Sequence, residues 1–563
     1  MKNVNMNRLV FEKRVDACFF SLAIVAMLVT LVANFLALRN NLTFSDEGWY
    51  MCLMRDLPHR GASRFHLLFG NLFGGDIYAN RVACWLAQII GSLGLAFGLY
   101  LWIIVPVSFS NRKSISFLFL WGVLYLGQMS IVPCPSFNYI TLNKIIVEVA
   151  LGFVFIGLSK QKQICFVLSG FAIAFLFPVM ITNTILIPLL YLLILFLSTR
   201  KWRDVIGFTV GIILFFVYYF VFVESPNEVV ASFMEQTSKT VQKGNSEYGF
   251  KWLLLGEIDS FMYMTKCFFI AVALYGAYYL IVRRNCFSCK KGRQLMVLAM
   301  LSIVVLLYAW TYVSPVFMFP YKECYTYYWQ NDLCWIFLFL LLLVNLVDRK
   351  MQKKELITVC FLSLCPLCLA FGSNIQFYYR GASYFVFVAP ALVYLAYKKS
   401  FVWRAAIILV FGLFFCLFLL QIIEGRNWEG QKYFGNDHIP VNSIGVNQNL
   451  RIERRWINEL KSCQKHIPQG RVLCSCRHWG LVCLLGYEPV CYDYAVEKTD
   501  DVRFKTIIDE ELDRNSSVRA VYYNNKEELD FVEKMEMLSQ SGNYHIEADT
   551  VGMTVYSLIT KKQ

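Results

Sequence analysis

Charge is what this chain has least of. Only 16% of its 563 residues are Asp, Glu, Lys or Arg, against 57% hydrophobic residues and a mean hydropathy of +0.50. Soluble globular chains carry about 25% charged residues, so a soluble fold is excluded; in its place stand repeated apolar runs long enough to cross about 30 Å of hydrocarbon. There is no internal repeat and no low-complexity linker, which excludes a solenoid and a string of tethered modules. The 19 cysteines are scattered, many inside apolar runs where Cys acts as a small hydrophobe, so their count defines no disulfide framework. Cys286-x-x-Cys289 lacks the second ligand pair of a structural zinc site. A net charge of +14 would suggest a nucleic-acid partner in a soluble chain. Here much of it falls in short loops between apolar runs, as the positive-inside rule expects, and nucleic acid is excluded as a partner.

What is present is a series of spans. Arg8, Lys13 and Arg14 precede an apolar run too long for a signal peptide, so the first helix is expected to be retained. Helices are predicted near 17–38, 82–105, 115–133, 139–158, 164–181, 183–199, 204–223, 262–282, 294–313, 332–347, 355–372, 382–397 and 403–423. The stretch 164–199 is divided near Thr182-Asn183 because both its flanks are basic. Basic clusters such as Arg112-Lys113, Arg200-Lys201, Arg349-Lys350 and Lys398-Lys399 then all fall on the N-terminal side. The fold class is a polytopic α-helical membrane protein of about 13 transmembrane helices, N-in and C-out, with a small C-terminal α/β extracytoplasmic domain. The expected division is 1–423, transmembrane, and 424–563, where helix-like and strand-like segments alternate. Lys144 and Glu148, one turn apart, are expected to pair inside the bundle.

The first outer loop, 39–81, carries an adjacent acid pair, Asp46-Glu47, near the membrane surface. A hydroxyl is a poor nucleophile at neutral pH, and a positioned carboxylate that takes its proton supplies roughly 10²–10⁴-fold. Ser45-Asp46 also suits the cap of a short interfacial helix. Cations that could hold a phosphate near this surface are Arg55, His59, Arg60, Arg64, His66 and Arg81 in the loop, Lys322 beside Tyr321 in a later outer loop, and Arg380. The next outer loop offers Ser136 and Asn138, and Asp76 and Glu323 are further acids.

Ser45-Asp46-Glu47-Gly48-Trp49-Tyr50, then Leu72-Phe73-Gly74 and Asn80-Arg81, resemble the first loop of the GT-C superfamily of membrane glycosyltransferases. The likeness is nearest to the branch containing the aminoarabinose transferase of lipid A and the protein O-mannosyltransferases. It covers the first hundred residues in motif and the rest in topology. It implies a polyprenyl-phosphate-linked sugar donor, a glycan, lipid or protein acceptor with membrane lipids around it, and inversion at the anomeric carbon. Asp46 falls where the family places its catalytic aspartate, with Glu47 as an orienting acid. It further implies a bacterial inner membrane with the site facing the periplasm. Two departures stand out. Pro58-His59-Arg60 occupies the place of the family's Lys-Pro-Pro element, and Ser136 and Asn138 stand where relatives have a second acid, which weakens the expectation of a divalent metal. Nothing after Glu424 matches the Trp-Trp-Asp-Tyr-Gly element of the oligosaccharyltransferases. The alternative function is a lipid-linked glycan flippase, which charge concentrated in the loops disfavours.

Overall fold

A computed structural model describes residues 2–40, 42, 46–56, 64–68, 76–104, 113–128, 136–180, 182–199, 201–231, 234, 250–283, 290–318, 326–348, 351–371, 381–424, 437–467, 470–492, 496–524 and 529–562. Among these, all thirteen apolar runs lie on helices. The order is α1 (Lys2–Ala37), a short α2 (Asp46–Arg55), α3 (Ile77–Leu99), α4 (Lys113–Gln128), α5 (Tyr139–Lys160), α6 (Gln163–Ala174), α7 (Leu176–Val179), α8 (Asn183–Thr199) and α9 (Trp202–Phe222). It continues with α10 (Phe250–Arg283), α11 (Lys290–Met318), α12 (Thr326–Val347), α13 (Lys353–Ala370), α14 (Phe385–Tyr397) and α15 (Phe401–Glu424). Among the described residues six of them, α1, α3, α5, α9, α10 and α15, are long and apolar enough to cross a membrane. The apolar stretches of the other runs reach no more than 18 residues, at the short end of what a crossing requires. α1 begins at Lys2 rather than near 17, because its polar flank has neither Gly nor Pro to stop a helix.

The division of 164–199 follows from local geometry. Met180 turns to an extended conformation after Pro178, and α8 restarts at Asn183, whose N–H donates to the Met180 carbonyl at 3.1 Å. α6 and α9 pack backbone to backbone: a Cβ at Gly170 would sit 2.8 Å from the Phe208 carbonyl carbon, and small residues permit that approach. α9 also leaves Trp202, Ile206, Ile213, Val217, Val221 and Phe222 exposed, an apolar face suited to lipid. At one end of the bundle Arg404 pairs with Asp16 at 2.8 Å, Lys398 with Glu355 and Lys399 with Asp348, while Lys354 lies 3.5 Å from the centre of the Trp102 ring. Among the described residues these four cations lie toward one end of the bundle. The acid-pair loop is at the opposite end.

From 437 onward the chain forms an α/β unit. β1 (His438–Pro440) pairs antiparallel with β2 (Arg451–Glu453), and α16 (Arg454–His466) follows. Then come β3 (Arg471–Cys474), α17 (Trp479–Leu485), β4 (Glu488–Pro489), α18 (Asp501–Asn515), β5 (Ser517–Tyr523), α19 (Leu529–Gln540), β6 (Tyr544–Val551) and β7 (Thr554–Lys561). The sheet order is β4-β3-β5-β7-β6, parallel from β4 through β5 and antiparallel beyond. Leu473, Phe504, Ile508, Val518, Phe531 and Ile559 form a core among β3, α18, α19 and the β5–β7 side of the sheet. A second core runs without a break from the membrane domain into this unit: Trp49, Cys52, Met54 and Phe65 of the first loop pack with Ile452, Leu460, Trp479 and Val482.

Candidate functional site

The site is built at the first turn of α2. Glu47, nearly buried, meets Arg81 one turn into α3 in a two-pronged ion pair, Nε–Oε1 2.7 Å and Nη2–Oε2 2.7 Å. Arg81 is 1% exposed, and its remaining Nη1 donates to the carbonyls of Leu38 at 3.0 Å and Asn40 at 3.2 Å, at and just beyond the end of α1. Ser136, just before α5, donates its hydroxyl to Glu47 Oε1. One carboxylate thus ties the ends of α1, α3 and α5 to α2.

The neighbouring polar groups are used in the same way. Asp76 caps α3, accepting from Ala79 N at 3.1 Å, and Asn138 caps α5, accepting from Thr141 N at 2.9 Å. Asn80 Oδ1 accepts from Phe137 N at 3.3 Å, so the two helix starts hold one another. Arg64 pairs with Glu224 at 3.0 Å, and the Tyr219 hydroxyl donates to the same carboxylate at 2.9 Å. His66 is buried on the same short segment. The structure therefore brings Glu47 and Arg81 onto each other and gives Asn138 a capping role, while Arg64 is drawn to the end of α9. Asp46 is the first residue of α2; its side chain lies outside the described residues. So do His59, Arg60, Tyr321, Lys322, Glu323 and Arg380, and the motif residues Ser45 and Leu72-Phe73-Gly74. Among the described residues no group of three or more His, Cys, Asp or Glu side chains gathers as a metal cluster.

The C-terminal unit roofs this turn. At Gly48 a Cβ would stand 2.6 Å from the Cα of Gly480, so α2 and α17 touch through glycine backbone. Trp49 Nε1 donates to the Tyr492 carbonyl at 3.0 Å, and Arg55 donates to the carbonyl of Tyr487 at 2.6 Å. The Tyr492 hydroxyl donates to Asp56 at 2.9 Å, and burial together with that carboxylate pushes its pKa up. Arg451 N donates to the Arg39 carbonyl at 2.6 Å, and Ile77 N to Gln448 Oε1 at 3.2 Å. These partners were not legible in the sequence, since they lie more than 370 residues from the loop they hold.

Two further features lie away from the turn. Lys144 and Glu148 do not pair as expected: neither Glu148 oxygen has a hydrogen-bond partner, and the side chain points across to Gly91, where a Cβ would be 2.7 Å from Oε2. Lys preceding Glu by four residues is the less favourable helical order, and the space at Gly91 draws the carboxyl to α3 instead. An apolar cavity of about 220 Å³ opens near the basic end, with Asp16, Ser116, Pro390, Tyr394 and Tyr397 among its lining residues. It is remote from the acid pair, and the site assignment rests on the acid pair's chemistry.

No protein-family model matches the sequence, and no curated protein matches it. Among solved structures, the chain is similar to the Archaeoglobus fulgidus oligosaccharyltransferase crystallised tethered through a disulfide bond to an acceptor peptide containing the NVT sequon. The identity is 11%, the TM-score 0.42, and the alignment covers 96% of this chain and 74% of that one.

Proposed function

We propose that the chain is a bacterial inner-membrane glycosyltransferase, of the GT-C kind its first loop resembles. It moves a sugar from a polyprenyl-phosphate donor to a hydroxyl acceptor at the periplasmic face. The observation that carries this reading is the fixed carboxylate of Glu47 beside Asp46. With Glu47 spent on Arg81 and Ser136, the proton-taking role falls to Asp46, held at the N-terminus of a helix whose position four elements define. The Asp46 carboxylate takes the acceptor's proton as its oxygen attacks the anomeric carbon, and polyprenyl phosphate leaves from the opposite side with inversion. Arg81 is committed to Glu47, so the leaving phosphate is assigned to the remaining cations: His59, Arg60, Lys322 beside Tyr321, and Arg380, with Asn138 near the acceptor path. The C-terminal unit, sharing a core with the loop, bounds the acceptor entrance.

The test is Asp46→Asn, read by mass spectrometry of lipid-linked and surface glycans in cells carrying either form. Transfer should fall by at least about 100-fold at normal protein level. Full transfer by the variant removes Asp46 as the base. One observation favours a second reading, a lipid-linked glycan flippase: Glu148 and Lys144 are both buried within a spanning helix, where ionisable groups mark transport paths. On that reading Glu148→Gln, and not Asp46→Asn, abolishes the glycan phenotype.

A further inference from the structure

We propose that Cys52 and Cys483 form a reversible disulfide that fastens α2 to α17, with a small-molecule or protein disulfide as the oxidant. The two cysteines are 431 positions apart, and no spacing pattern in the sequence joins them. They meet because of the glycine contact described above. Cys52 is one helical turn beyond Gly48, and Cys483 is three residues beyond Gly480, so the closest approach of the two backbones sets the side chains of the next turn against each other. Across this contact Arg55, three residues beyond Cys52, donates to the Cys483 carbonyl at 3.4 Å, and the Cys52 sulfur lies 4.0 Å from the Trp479 carbonyl oxygen. Both are buried, Cys52 fully and Cys483 at 6% exposure. Both are free thiols here.

The proposal rests on this end of the bundle facing an oxidising compartment, and is independent of whether Asp46 is the base. The chemistry is a two-step exchange. The Cys483 sulfur, having given up its proton, attacks one sulfur of the oxidant; the other half leaves as a thiolate and takes up a proton. Cys52 then gives up its proton and attacks the Cys483 sulfur of the mixed disulfide, closing the Cys52–Cys483 bond and releasing the second half as a thiol. Two protein thiols lose two electrons, and the oxidant disulfide becomes two thiols. Burial pushes the Cys52 thiol well above its ordinary pKa, and neither sulfur is reachable while α2 and α17 are in contact. Oxidation therefore waits on separation of the helices, and the bond, once made, holds them together. A disulfide here turns a packed contact into a covalent one, directly behind the turn that carries Asp46 and Glu47.

The experiment uses the full chain in detergent micelles, incubated with excess oxidised glutathione, quenched with N-ethylmaleimide and digested without reductant. A peptide pair joining residues 52 and 483 is expected. It should vanish on treatment with dithiothreitol, and oxidation should slow amide exchange in α2 at least tenfold. Absence of that pair overturns the proposal, whether or not the thiols label with maleimide. So does a Cys52–Cys474 pair in its place, since Cys474 is the other thiol near Cys52. Cys52→Ser and Cys483→Ser should each abolish the pair; if either variant fails to fold, mapping of the unaltered chain still decides. Loss of transfer in Asp46→Asn bears on the base alone, so the two readings fail separately.

Discussion

Removal of the Arg81 side chain's charge is the sharpest probe of the site. In Arg81→Met the carboxylate of Glu47 stays buried with the Ser136 hydroxyl but without the two 2.7 Å bonds that neutralise it. Breaking one partner out of a buried pair costs about 3–5 kcal/mol, because an uncompensated charge is left behind. The loss falls on α2, whose first turn is the element the pair anchors. A local cost of ~3 kcal/mol raises the population of an opened α2 by about two powers of ten. Hydrogen exchange of the α2 amides, followed by mass spectrometry in detergent, reads that directly. The double variant Arg81→Met with Glu47→Leu no longer contains the stranded charge. It should therefore recover at least about 1 kcal/mol relative to the sum of the two singles, the coupling expected of residues in contact. A threefold or smaller rise in exchange for Arg81→Met, or strict additivity in the cycle, would refute the pair as the anchor of the turn.

Other expectations concern the roof and the outer unit. Gly48→Ala forces a methyl into the Gly480 backbone, which has no flexible side chain to yield, and should cost about 1–3 kcal/mol, seen as faster exchange in both α2 and α17. A Gly48→Ala chain with unchanged exchange would show that the helices separate freely. His478 is fully buried with Nδ1 2.7 Å from the Ser475 hydroxyl; burial, then the charge of Arg477, lowers its pKa to about 3. The unfolded chain takes up that proton near 6.5 and the folded unit does not, so stability is full above pH 6.5 and falls toward pH 3 by up to about 1.4 kcal/mol per unit. Melting of the outer unit followed from pH 7 to 4 should show this slope, and His478→Gln should flatten it.

Helix positions were legible because apolar runs and basic loops are strong, repeated signals; the break at Thr182-Asn183 came from charge alone and matches the restart of α8 at Asn183. In the outer unit DDVRFKTIIDEELDRN and KEELDFVEKMEML read as helices and VRAVYY and TVYSLI as strands, and α18, α19, β5 and β7 lie on them, whereas α17 and β6 show no such pattern. α17 is seven residues and almost wholly buried, too short to show a helical period, and β6 is an edge strand exposed along most of its length, so it carries little apolar alternation. Within the site the sequence named Glu47, Arg81, Ser136 and Asn138 one at a time. It could not say that Glu47 and Arg81 cancel each other, because a charge's partner is a property of packing. Lys144 and Glu148 err the other way: their spacing suggested a pair, and a glycine on another helix undid it.

The roof over α2 also imposes an order in time. Trp49 waits for Tyr492 and Arg55 for Tyr487, partners separated by 443 and 432 residues of chain. At about 5–20 residues per second of synthesis, the first loop emerges roughly 20–90 s before the residues that seat it. Through that interval the Glu47–Arg81 turn can form but cannot be covered, and Trp49, Met51, Cys52 and Leu53, all buried at the end, face water or lipid. A ribosome stalled anywhere before residue 492 therefore leaves the Trp49 indole without the carbonyl that seats it, so the first loop reaches its final packing only when the chain is nearly finished.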